Sequence, residues 1–127
     1  MNALIVALLL QAQPAAPLDL DRGLAAIRLA SMTAPACEGE IASGRLAGEH
    51  CTRFRHAYAE YIDEELAVLV LVRDRLAEGE DTEEALDAFF SEDPLGRRVA
   101  QWMDDVQPYK PRAEQAWSMW ELATDEG

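Results

Sequence analysis

Lysine is all but missing from this chain: Lys110 is the only one, against ten arginines and 24 acidic residues, and the formal net charge at pH 7 is −13. Duplex nucleic acid and anionic lipid surfaces recruit proteins through clustered cations, so both are excluded as expected partners. The arginines do not make up the deficit. Arg53 with Arg55, Arg73 with Arg75, and Arg97 with Arg98 are the only close groupings, and acids stand near each. Arginine in place of lysine in an alanine-rich chain fits the composition of a GC-rich bacterial genome better than guanidinium chemistry.

Histidine is scarce as well, with His50 and His56 alone. Ser31, Ser43, Ser91 and Ser118 sit in no strand-turn-helix elbow that would make a nucleophile of one of them, so no catalytic residue is assigned. Asp63, Glu64 and Glu65 read as a solvated helix face rather than as acid/base groups. No apolar stretch reaches the roughly 20 residues needed to cross a bilayer.

The first apolar run, Ala3 to Leu10, is stopped by Gln11, Gln13 and Pro14. It has the outline of a secretory signal peptide, with the amino terminus as its only positive charge and small residues for cleavage after Ala12 or Ala16. No cysteine stands near either site to take a lipid. The expected organisation is a cleaved signal over residues 1–16 and one helical domain over 17–127, periplasmic or secreted, with no stable membrane insertion after cleavage. Two cysteines in an exported chain have one intramolecular pairing open to them. A Cys37–Cys51 bridge would stabilise by about 3 kcal/mol in the chain-entropy model.

Apolar residues recur at three- and four-residue steps, and no strand signal competes with them, so the expected fold is all-α, a small bundle of four to five helices. Asp19 caps a first helix with Leu20, Leu24, Ile27 and Ser31 on one face, widened by Leu29 and Met32, and Pro35 is expected to end it. The glycine-rich segment Cys37 to Gly48 reads as a loop with a helical turn around Ile41 to Leu46. A long helix over 49–78 follows, with Phe54, Tyr58, Tyr61, Ile62, Leu66, Leu69, Val72 and Leu76 on its stripe. The LAVLVLV run at 66–72, apolar all round, is expected at the middle of the core. Asp81 and Glu84 form a capping box for a short helix through Phe90. Ser91 or Asp93, with Pro94, starts a helix burying Leu95, Val99, Trp102, Met103 and Val106. After a break over Gln107 to Pro111, a last helix spans 112–123.

The cysteine pair, the aromatics that follow it and Asp63-x-x-Leu66 resemble the pattern of small periplasmic helical proteins related to lysozyme inhibitors. The resemblance spans residues 37–66, lacks the asparagine and tyrosine expected after the leucine, and implies no site residue.

Three constellations bear on function. His56 and Glu60, one helical turn apart, are weak candidates for metal ligands. Eight carboxylates lie between Glu78 and Asp93, without the alternating spacing of a calcium loop; of these Glu80, Asp81, Glu83, Glu84 and Asp87 form a candidate surface for a cationic partner. Trp102, Trp117 and Trp120, with Tyr109, Met103 and Met119, are a second candidate contact surface, since indole rings favour interfaces as well as cores. The expected function is non-enzymatic binding of a cationic protein or peptide; the alternative is a small-molecule or metal carrier with its site between helices. No cofactor is expected.

Overall fold

The computed structural model describes residues 18–76 and 82–125. Among them are five helices and no strand: α1 (Leu20–Ala42), α2 (Glu49–Leu76), α3 (Thr82–Glu92), α4 (Pro94–Val106) and α5 (Lys110–Asp125). The all-α architecture expected from the periodicity is present, and Cys37 and Cys51 are joined by a disulfide with their Cα atoms 4.3 Å apart. No described helix is long and apolar enough to cross a membrane. The 3–10 run, its cleavage sites, Glu80 and Asp81 lie outside the described residues.

Asp19 caps α1 by accepting the Arg22 N–H at 3.0 Å. Pro35 does not end the helix, contrary to expectation. A proline here deprives the Ser31 carbonyl of its bond, but the turns beyond it bury Cys37 and Glu40, and both are tied to α2. Cys37 is bridged to Cys51. The Glu40 carboxylate accepts the N–H groups of His50 at 3.2 Å and Cys51 at 2.8 Å, which are orphan donors of the first turn of α2. α1 then stops where Gly44 takes φ 77°. Its N–H bonds the Ile41 carbonyl at 3.0 Å and the Arg45 N–H bonds the Glu40 carbonyl at 2.8 Å, the paired bonds of a Schellman motif. The loop expected from Cys37 thus shrinks to residues 43–48.

The arrangement is reciprocated at the other end. Glu64 of α2, buried, accepts the Asp19 N–H at 3.0 Å just before α1. α1 and α2 are therefore antiparallel, each with its N-terminus held by a buried carboxylate of the other. Between these clamps lies the core: Ile27, Ala30 and Ala34 of α1, Phe54, Ala57 and Tyr61 of α2, Val99 and Val106 of α4, and Ala113 and Ala116 of α5.

This register overturns one core assignment. α1 ends opposite Glu64, so the 66–72 run projects past its main partner. Val68 is buried, but Leu66 and Leu69 are 51% and 56% exposed. Met103, Leu29 and Met32, expected on apolar faces, are exposed too. Every helix here packs on one side only, and a wide apolar stripe exceeds what its neighbours cover.

Asp93 caps α4 by accepting the N–H groups of Leu95 at 2.8 Å and Gly96 at 3.2 Å, with Pro94 in the first turn. α3 folds back onto α4 so closely that a Cβ on Gly96 would lie 1.7 Å from the Phe89 carbonyl oxygen. Pro111 falls inside the first turn of α5, where a missing N–H costs nothing, so that helix starts earlier than expected.

Candidate docking groove

The tryptophans are mostly structural. Trp102 is only 5% exposed and stacks on Tyr61 with centroids 5.8 Å apart. Trp117 and Trp120 are half-buried; Trp117 lies 5.1 Å from Tyr58, Arg55 sits 3.9 Å above the Trp120 ring, and the Trp120 indole N–H donates to the Leu46 carbonyl at 3.2 Å. That last bond fastens the α1–α2 loop to α5.

His56 and Glu60 do meet, with Nε2 3.0 Å from Oε1. The other Glu60 oxygen is 3.9 Å from Arg22 Nε. No group of three His, Cys, Asp or Glu is placed to hold a metal ion among the described residues. On α3, Glu83, Glu84 and Asp87 are exposed along the outer surface of the helix.

Buried phenols line the α2–α5 seam. The Tyr61 hydroxyl donates to Glu65 Oε2 at 2.5 Å, and Lys110 Nζ lies 3.2 Å from the same oxygen. Burial pushes the Tyr61 hydroxyl far above its ordinary pKa, and the hydrogen bond to Glu65 and that residue's charge add to the shift. Tyr58 is pushed up to about 12 by burial, with the charges of Glu114, Glu65 and Glu121 adding. Both stay protonated at neutral pH and act as packed donors, not bases.

A different arrangement has the features of a recognition site. Where α4 lies along the first turns of α1, a shallow groove of about 180 Å³ opens between them. Leu20 and Leu24, one turn apart, and the edge of Trp102 make it apolar; Asp21 on one side and Asp105 on the other make it acidic, with Gln101 and Arg98 completing the lining. Gln101 Nε2 donates to Asp105 Oδ1 at 2.9 Å and so fixes that carboxylate. Asp21, Asp105 and Arg98 form no ion pair among the described residues. The Trp102 Nε1 is buried without a hydrogen-bond partner, a donor left open at a cost of about 1–3 kcal/mol.

No family, curated protein or solved structure is matched. Protein-family models, curated sequences and known folds alike return nothing similar to this chain, so the likeness of residues 37–66 to the lysozyme-inhibitor relatives gains no support.

A long cationic side chain has an apolar stem and a charged head, and the groove offers leucines for the first and two carboxylates for the second, against one opposing charge in its lining, the Arg98 guanidinium. Of the residues that the sequence singled out for function, only Trp102 belongs to it. Leu20, Asp21 and Leu24 are more than seventy positions from Arg98, Gln101 and Asp105, and only the packing of α4 on α1 unites them. The one sequence signal was the i, i+3, i+4, i+7 spacing of Arg98, Gln101, Trp102 and Asp105, which reads equally well as the edge of an amphipathic helix.

Proposed function

We propose that this protein is an exported, non-enzymatic binding protein whose α1–α4 groove receives a cationic side chain, arginine or lysine, of a protein or peptide partner. The observation that carries the reading is the pair of carboxylates without a cationic partner, Asp21 and Asp105, flanking an apolar floor in a chain of net charge −13. Long-range attraction from that charge brings a basic partner in, and the two aspartates give it a place to dock. Size favours a side chain over a cofactor: ligand pockets run to about 300–1,000 Å³, and this groove has about 180 Å³. Export is supported by the Cys37–Cys51 disulfide, which persists in oxidising compartments, and by the signal-like run at 3–10.

The test is capture from an extracytoplasmic extract on immobilised protein at about 50 mM and about 500 mM salt. A basic protein retained at low salt and shed at high salt supports the reading. Capture indifferent to salt would move attention from the groove to the half-buried Trp117 and Trp120.

A further inference from the structure

We propose that the protein forms a weak antiparallel homodimer in which the outer face of α1 packs against the outer face of α1 of a second copy. Between Arg22 and Glu38, Arg28 is the only charged residue of α1. It is turned aside, with Nε 3.2 Å from the Tyr109 hydroxyl and its guanidinium 5.6 Å from that ring. What remains outward is Ala25, Leu29, Met32 and Ala36, all exposed, with Leu29 at 43% and Met32 at 77%. Thr33 adds no free polar group to the adjoining surface, since its hydroxyl donates back to the Leu29 carbonyl at 2.9 Å. In a chain of net charge −13 this is a surface of about three turns with no carboxylate, where two copies approach with little repulsion.

The order of the residues identifies the occupant. Ala25, Leu29, Met32 and Ala36 follow one another at steps of four, three and four, a sequence of spacings that reads the same in both directions. A two-fold axis between Leu29 and Met32 sets each alanine against an alanine of the second copy and each large residue against a large one, the self-complementarity an isologous interface requires. Alternating three- and four-residue steps are also those of left-handed helix pairing. The match extends one step further each way. Arg22, three positions before Ala25, falls opposite Gly39 of the second copy, three positions after Ala36. A Cβ at Gly39 would meet nothing within 4 Å, so there is space for the arginine to lie across it. The last turn of α1 has no basic residue of its own, and its carbonyl ends attract a guanidinium. One helical face buries less than the roughly 800 Å² per partner of a standard interface, so the pair dissociates on dilution.

Sedimentation velocity on the purified protein, from about 10 μM to about 1 mM, is expected to show a monomer passing to a dimer and no further. Leu29→Glu/Met32→Glu, which sets carboxylates against each other across the axis, is expected to weaken association at least tenfold with unchanged helicity, while Leu122→Glu on exposed α5 leaves it intact. Ala25→Cys mixed with Ala36→Cys should give the mixed cross-link with a bismaleimide too short to span the roughly 16 Å between those positions along one helix. A monomer at every concentration, as when the chain's own residues 1–17 or another protein cover α1, overturns the proposal. So do open-ended assembly, a 25-to-25 cross-link, or association unaffected by the double variant.

Discussion

Opening the Cys37–Cys51 bridge probes the frame that holds the groove. The bridge closes a loop of 14 positions, and a closed loop of that size restricts the unfolded chain by about 3 kcal/mol of free energy. Both side chains are fully buried, and reduction removes no heavy atom and so opens no cavity, though the two sulfurs must part to non-bonded distance. Replacing both with alanine removes them, adding about 1 kcal/mol per site. The corner does not depend on the covalent link alone, because Glu40 still accepts the His50 and Cys51 N–H groups. The reduced protein is therefore expected to remain folded but to melt about 12–20 °C lower, with Cys37→Ala/Cys51→Ala lower still. Circular dichroism melts of the oxidised, reduced and doubly substituted protein measure this. Oxidised and reduced forms melting within about 3 °C of each other would refute the entropic argument.

Three further outcomes follow from packing and protonation. Gly96→Ala drives a Cβ to 1.7 Å from the Phe89 carbonyl and should cost about 1–3 kcal/mol in urea unfolding, whereas Gly39→Ala, with nothing within 4 Å, should be neutral or stabilising. Burial alone would raise the Glu40 pKa, but the N–H bonds from Cys51 and His50 and the charges of His50 and Arg45 outweigh it and hold the carboxyl below its ordinary value. Its contribution is thus complete above the unfolded-state pKa and lost as pH falls through the lower folded one; melting between about pH 5 and pH 3 should drop in the native protein and flatten in Glu40→Gln. Tyr58 and Tyr61 are shifted the other way, so their contribution is complete below about pH 10 and lost above it, and Tyr61→Phe should blunt the alkaline fall in melting temperature.

Much of the fold could be read from single residues with local consequences. Asp19 and Asp93 cap, Pro94 begins a helix, and the pairing of the two cysteines needs only their number and an oxidising compartment. What could not be read depends on partners distant in sequence. Pro35 was expected to stop α1 because the compensating groups, Cys51 and the first N–H donors of α2, lie beyond the next loop. Leu66 and Leu69 pattern as core, and only the end of α1 opposite Glu64 leaves them uncovered. Tryptophan marks cores and interfaces alike; Trp102 proved to be both buried and at the edge of the groove. The groove's acids were invisible for the same reason, since Asp21 and Asp105 become neighbours only when α4 packs on α1.

The central claim is that Asp21 and Asp105 together receive a cation from a partner. The most direct measurement is the affinity of the captured basic protein for native chain and for Asp21→Asn/Asp105→Asn, each across a salt series. The variant is expected to lose roughly tenfold or more in affinity at low salt and to show a shallower salt dependence, with melting temperature unchanged. Equal affinity and equal salt dependence in the two proteins would contradict the claim.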